Sequence, residues 1–425
     1  MKILILTDRF PPEQEGGAEA STFAIARGLV QAGCRVSVLT WTAARRPESP
    51  VEAWGMRIHR FHAAYPERFR AYVTVCHPPA LAALGRALAA ERPDVVQAHH
   101  VSNQISYAAL SRCRRVGVPV VLTAHDPGAI CHQKMICGVD LASNGARLSY
   151  EAKPTKCAPC MRLRWFPLRN LLIRRILSRS VDHLFANSRE LKKILEMNGL
   201  GPFEVLHNPF LPELARAEPA AVAEFRATIG LAPDEAAIGG GGRMGFWKGT
   251  EHLIEAAGRL ARRTGRPFRL VLAGRTSPEY ESRLRDLAAK AGIDSRLSLA
   301  GWLEGKDLAA FYAACEVVAV SSIIPEALPR LAIEALAAGV PVVGSPYGGT
   351  PEIVKDGETG LLANPLVPDE FAAALARVLS NPVAARAWGE RGRALVEKEF
   401  SVEGNVRRRL EVYERLLSTR RYPSG

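Results

Sequence analysis

The chain has 425 residues, 48% of them hydrophobic and 7% aromatic, which describes an ordinary globular protein of about two domains. Its formal net charge of +13 would permit nucleic-acid binding, but no RNP, zinc-finger or helix-turn-helix signature accompanies it. An acidic small-molecule partner or a membrane surface fits better, and nucleic acid is not expected.

The strand 2–7 opens the chain, and helix 18–32 follows, stopped at Gly33. Strand 35–40, helix 77–90, strand 95–98, helix 102–116 and strand 119–123 continue the alternation. Strand 181–186 leads to a helix at 190–198 that Ser188 caps and Gly199 stops. After Asn208–Pro209 the pattern restarts, with strands at 237–241, 270–273, 297–300, 317–320 and 341–344, and a last helix at 400–417. Apolar strands alternating with helices imply parallel sheets covered on both faces. Two such runs imply an α/β protein of two doubly wound, Rossmann-like domains, with ligands at the carboxyl ends of the strands in a cleft between them. No apolar run reaches the roughly 18 residues of a membrane span. The opening strand lacks the features of a signal peptide, so the expected compartment is cytoplasmic. Disulfides are not expected there.

Two carboxylates carry most of the functional signal. Glu326 falls on a proline- and serine-containing loop, just before a helix that begins near Pro329. Glu334 falls about one turn inside that helix, Gly339 is a plausible C-terminal cap, and 340–343 is a short buried strand. The start of the helix offers free N–H groups and a positive dipole end, a natural seat for phosphate. Carboxylates beside such a seat suit sugar or ribose hydroxyls. Upstream, GGGGRMGFWKG at 239–249 brings Arg243 and Lys248 onto one glycine-rich loop before a helix. That arrangement suits a diphosphate, although it matches neither the P-loop nor GxGxxG. His125 follows the strand PVVLT, with Asp126 beside it, where an imidazole can meet a ligand.

These residues carry a family resemblance. GRMGFWKG, then LVLAGR, then PEALPRLAIEALAAGVPVVGSPYGGTPEIVKDGETGLL resembles the C-terminal half of the family 4 glycosyltransferases, which are retaining, nucleotide-sugar-dependent and of the two-domain GT-B fold. The opening MKILILTDRFPPEQEGGAEASTFAIARGLVQAGCRVSVLT, AHD at 124–126, ANSRELKK at 186–193 and VLHNP at 205–209 resemble the N-terminal half in the same order. The resemblance implies transfer of a hexose from a nucleotide-sugar donor to a glycan or lipid-linked acceptor, for polysaccharide biosynthesis. It implies domains at 1–207 and 208–398, and a C-terminal helix within 399–425 that returns to the first domain. It gives His125 a sugar contact. Arg243 and Lys248 would stabilise the departing diphosphate, Glu326 would hold sugar hydroxyls, and Glu334 the ribose. Gly16 and Gly17 would let the first loop approach the donor phosphates, Ala327 and Leu328 would offer N–H groups, and Trp302 and Leu303 would cradle the base. Pro329 stands where many relatives carry glycine, which puts one backbone contact in question. No DxD is present, and no cofactor is expected for the chemistry.

Two features lie outside that scheme. Cys131, Cys137, Cys157 and Cys160 form C-x5-C-x19-C-x2-C within a segment at about 126–180 that reads as an insertion in the first domain. Four thiolates at this spacing suit a structural zinc, or an iron–sulfur cluster; the alternative is four reduced thiols. The stretch 161–180 holds six Arg and no acid, with Leu168, Leu171, Leu172 and Ile176 at roughly helical spacing. This is either a helix packed on the sheet or a surface-seeking amphipathic helix at the inner membrane face. Two other classes compete with transfer: a nucleotide-sugar epimerase or hydrolase on the same fold, and a non-catalytic basic binding module.

Overall fold

The structure is a computed structural model that describes residues 1–13, 16–47, 49–131, 133, 150–210 and 216–421. It divides into two compact units. Unit 1 includes Met1–Lys134, Tyr150–Pro209 and Val402–Gly425, and unit 2 includes Phe210–Ser401.

The sheet of unit 1 is built from β1 (Lys2–Thr7), β2 (Arg35–Trp41), β3 (Val51–Ala53), β4 (Met56–Phe61), β5 (Val95–Ala98), β6 (Val120–Ala124), β7 (His183–Ala186) and β8 (Glu204–Val205). Their spatial order is β3-β4-β2-β1-β5-β6-β7-β8. Every pairing is parallel except β3 with β4. The expectation of wholly parallel sheets is therefore corrected at this edge. WG at 54–55 turns the chain in two residues, with Gly55 and Trp54 both at positive φ, as a tight hairpin requires. Ile3, Leu4, Ile5 and Leu6 are fully buried, because β1 lies in the middle of the sheet with both faces covered.

The expected helix 102–116 begins only at Ala108. Residues 103–105 instead wrap around Asp8, whose carboxylate accepts the N–H groups of Asn103, Gln104 and Ile105 at 2.7, 2.7 and 2.8 Å. A buried carboxylate with three backbone donors outcompetes the helical pattern there. The helix Arg189–Met197 is capped as expected, with Ser188 Oγ accepting the Leu191 N–H at 3.1 Å.

The last helix, expected at 400–417, runs Val402–Arg421 in unit 1, and a helix not read from the sequence, Pro382–Glu399 in unit 2, precedes it. Arg409 of the last helix is fully buried. Its guanidinium donates to Asn405 Oδ1, Gln97 Oε1 and Thr123 Oγ1 at 2.8, 3.1 and 2.9 Å. Tyr413 O–H adds a bond to Gln97 at 2.6 Å. A buried cation needs this density of acceptors, and these bonds tie the last helix to β5 and β6.

Unit 2 has β9 (Ala236–Arg243), β10 (Phe268–Arg275), β11 (Leu297–Gly301), β12 (Val317–Val320), β13 (Val342–Gly344) and β14 (Gly360–Leu362). They form a parallel sheet in the order β11-β10-β9-β12-β13-β14. β14 is too short for its apolar run to stand out in the sequence. Apolar clusters cover both faces, one around Leu253, Ile254 and Leu270 and the other around Phe311, Val318 and Ile333. Polar side chains are thereby left to the strand ends.

Candidate active site

In unit 2, β9 lies between β10 and β12, and Arg243 is its last residue. The parallel register pairs Arg243 with Arg275, the last residue of β10. Met244 N–H donates to the Arg275 carbonyl at 2.9 Å. The Arg275 guanidinium lies over the Trp302 ring, 4.4 Å from its centroid, a cation–π contact. The Trp302 indole N–H donates to Glu304 Oε1 at 2.7 Å, and the residue is 39% exposed. Leu303 is half-buried against the apolar core, so its side chain packs the fold.

Beyond Arg243 the chain crosses to the end of β12. Gly249 has φ +69, and a Cβ there would sit 1.7 Å from the Ser321 carbonyl oxygen, so only glycine fits. Ser321 O–H donates to the Lys248 carbonyl at 3.1 Å, and Ile323 N–H to the Trp247 carbonyl at 3.2 Å. This stapling places the Lys248 ammonium on Glu326 Oε2, while Ser322 O–H donates to Glu326 Oε1. The Glu326 carbonyl accepts the Gly349 N–H at 2.7 Å. Gly348, at φ +64, would bring a Cβ within 2.2 Å of that same carbonyl.

Pro329 precedes the helix Arg330–Ala337 as its N-cap, and Ala327 and Leu328 lie in the approach to it. Glu334 is 8% exposed. Arg330 donates to its Oε1 through Nε and Nη2 at 2.9 and 2.6 Å, and Tyr312 O–H donates to its Oε2 at 2.6 Å. Burial, and then the Glu334 charge, push the Tyr312 phenol well above its usual range. Glu326 and Glu334 thus have separate partners.

In unit 1 the polar groups gather at the carboxyl ends of β1, β5, β6 and β7. His99 Nδ1 and His125 Nε2 share a hydrogen bond of 3.0 Å. Burial, with the His100 and Arg409 charges behind it, lowers His125 to about 3, and burial also holds His99 well below its usual value. Both rings are therefore neutral, and one donates to the other. Their outer nitrogens, His99 Nε2 and His125 Nδ1, make no hydrogen bond of good geometry among the described residues, and Asn208 is the polar neighbour that acts on His125. His100 behaves oppositely. Burial works against its charge, but Asp126 at 3.3 Å, with Asp8 and Glu19 beyond, pushes it up to about 9. An imidazolium thus stands beside a neutral histidine pair. These side chains line a small cavity with Ser102 and Tyr107. Gly16 is extended and N-caps the helix Gly17–Gln31, whose first turn holds the buried Glu19.

The structure therefore joins Lys248 to Glu326, and Arg243 through Arg275 to Trp302. Asp8, His99, His100, Arg275, Tyr312, Ser322 and Arg330 were not singled out from sequence. Asp8, His99 and His100 follow apolar strands just as His125 does, and that signal would have found them. Tyr312 lies within a helix and gives no such sign.

The metal expectation falls partly outside the described residues. Cys157 and Cys160 share the helix Pro154–Met161, and Cys137 lies outside the described residues. Among the described residues no three His, Cys, Asp or Glu side chains come together to hold a metal. A tetrahedral site needs its sulfurs about 2.3 Å from one point. Neither zinc nor an iron–sulfur cluster is supported.

Residues 15–213 match the family described as Glycosyltransferase Family 4, and residues 222–395 match Glycosyl transferases group 1. A D-inositol 3-phosphate glycosyltransferase of Acidothermus cellulolyticus is 30% identical over 423 residues, covering 96% of this chain and 87% of the relative. The chain belongs to the family 4 glycosyltransferases. Two solved structures share the fold. Sucrose-phosphate synthase from Thermosynechococcus elongatus superposes with a TM-score of 0.78 at 21% identity, over 98% of this chain and 99% of the other. Anabaena HepE, in complex with UDP and glucose, gives 0.72 at 20%, over 97% and 99%. This family 4 glycosyltransferase thus has two Rossmann-like units of the GT-B type and is a hexosyltransferase-type enzyme. Among its described residues no helix is long and apolar enough to cross a membrane.

Proposed function

We propose that the enzyme transfers a hexose, with retention, from a nucleoside diphosphate sugar held by unit 2 to a hydroxyl of a glycan or lipid-linked acceptor held by unit 1. The bond from the anomeric carbon to the diphosphate oxygen breaks, and a bond to the acceptor oxygen forms. The acceptor proton passes to the departing phosphate. The observation that carries this reading is the Lys248–Glu326 pair. It sets a cation for phosphate and a carboxylate for sugar hydroxyls side by side, next to Arg243 and a helix start.

Arg243 and Lys248 stabilise the charge that grows on the diphosphate, an effect of fixed charges strongest where water is excluded. Glu326 orients the sugar. Glu334, held by Arg330 and Tyr312, uses its remaining lone pairs for ribose hydroxyls. The exposed face of Trp302 stacks on the base, and Ala327 and Leu328 offer N–H groups. Gly16 and Gly17 keep the first loop of unit 1 free of side chains near phosphate. His125, neutral and beside Asn208, makes a hydrogen bond to a sugar hydroxyl. The complex of Anabaena HepE with UDP and glucose supports a nucleoside diphosphate donor, and the inositol phosphate relative supports a polyol-like acceptor.

A thermal-shift screen of UDP-, GDP-, ADP- and dTDP-sugars tests the donor. A ligand at 100 times its Kd stabilises by about 2.7 kcal/mol. One nucleotide should stand clear of the others. A flat response to all four would contradict the reading, and donor turnover to a new sugar without any acceptor would favour an epimerase or hydrolase.

A further inference from the structure

The basic segment of unit 1 is not used by the transfer reaction. Its helix Arg169–Ser180 packs Ile173 and Leu177 inward, as an ordinary amphipathic helix does. Leu168 and Leu171 do not follow them and are 54% and 60% exposed. The Phe166 ring stacks on Tyr72 with centroids 4.6 Å apart. Tyr72 and the preceding Phe69 are themselves 48% and 45% exposed. Two separate stretches of chain thus contribute apolar groups to one region of unit 1.

Cations border these groups. Arg68, Arg164, Arg174, Arg175 and Arg179 are all exposed. Between Glu151 and Asp182 the sequence has eight Lys or Arg and no acid. The acid on the aromatic side, Glu67, is paired with Arg70 at 3.2 Å. Exposed leucines and aromatic rings ringed by unopposed arginines match the interfacial zone of an anionic bilayer, where rings and leucines enter the acyl boundary and cations meet lipid phosphates. A water-exposed surface for a polyanion alone would have no use for the leucines.

The same elements brace the cavity of unit 1. Arg169 donates to the Gly128 and Ala129 carbonyls, and Asn170 to the Ile130 carbonyl at 3.0 Å, just beyond His125 and Asp126. Arg70 donates to Asn103 Oδ1 at 2.7 Å, and Asn103 N–H donates to Asp8.

We propose that this surface docks unit 1 on an anionic lipid bilayer. The corollary, that the acceptor is lipid-linked and reaches the cavity from the bilayer, rests on the transferase reading; the docking itself does not.

Vesicle co-sedimentation of the full chain tests it, with phosphatidylcholine alone and with added phosphatidylglycerol. Binding is expected only to the anionic vesicles. Arg164→Glu should lower partition by at least about fivefold, the effect of one juxtamembrane charge. Leu168→Ser with Leu171→Ser should lower it at least tenfold at unchanged charge. Melting temperature and nucleoside diphosphate affinity should stay at wild-type values, since these side chains are exposed and belong to unit 1. Absence of binding to anionic vesicles would overturn the proposal. So would binding that the leucine variant leaves intact, or equal binding to heparin with the leucines irrelevant, which would mark a polyanion site. Vesicle binding by a protein that binds no nucleotide would keep the docking surface and defeat the transferase reading.

Discussion

Lys248 and Glu326, 78 residues apart in sequence, form an ion pair that joins the glycine-rich loop to the acidic motif. Their side chains are 30% and 17% exposed, and a pair so placed contributes at most about 1 kcal/mol to stability. Its consequence is placement. On the proposed reading, a donor diphosphate competes with Glu326 for the ammonium, and the sugar hydroxyls then compete for the released carboxylate. Glu326→Gln should keep nucleoside diphosphate affinity within about threefold while kcat/KM falls roughly 10²-fold, as for loss of a contact made in the transition state. Calorimetry alongside turnover separates the two, and equal losses in both would refute the division of roles.

Glu334 has a structural duty besides its proposed contact with ribose. Removing one member of a buried charged cluster costs about 3 kcal/mol, so Glu334→Ala should both lower the urea midpoint and weaken nucleotide binding. Glu334→Gln retains an acceptor for Arg330 and should recover most of the stability, with nucleotide affinity still about tenfold down. An alanine variant as stable as the wild type would show that the Tyr312–Glu334–Arg330 bonds do not hold in solution.

The histidines of unit 1 predict opposite pH effects. An unfolded chain protonates His125 near pH 6.5, whereas the fold holds it neutral to about 3, so this contribution is lost as pH falls below 6.5. His100 keeps its proton to about pH 9 in the fold. Its contribution is complete below 6.5 and is lost as pH rises through 9. The stability advantage of wild type over His100→Gln, from urea unfolding, should be full at pH 6 and shrink toward pH 9. An advantage independent of pH would place the His100 charge elsewhere.

Much of this architecture was legible because strands buried on both faces read as short apolar runs. Val95–Ala98 and Val317–Val320 fall where their patterns put them. The strands at 51–61 were not, because only Met56, Ile58 and Phe61 of β4 are apolar and buried, and they follow no strict alternation. The helix expected from 102 failed because the residues there are set by the distant carboxylate of Asp8. The site was legible in part for the same reason: glycines and charges at strand ends stand out, as Arg243, Lys248 and His125 do. Partners supplied from other elements do not. Nothing near Glu334 in sequence announces Tyr312, and the leucines of the basic helix do not say which of them will be covered.

Gly249 offers a test of loop geometry independent of charge. Gly249→Ala combines a left-handed φ with a Cβ 1.7 Å from a backbone oxygen, so the loop must move and carry Lys248 with it. Melting temperature and turnover should both fall. Gly245→Ala is the control, since a Cβ there meets nothing within 4 Å, and its melting temperature should match wild type. Identical melting in the two variants would contradict the stapled loop.

Donor turnover in Arg243→Ala and Lys248→Ala addresses the central claim most directly, with the nucleotide sugar that the thermal-shift screen selects. Each substitution should lower kcat/KM by roughly 10²-fold or more, the loss expected when a charge that stabilises the departing diphosphate is removed. Near-normal turnover in both variants would contradict it.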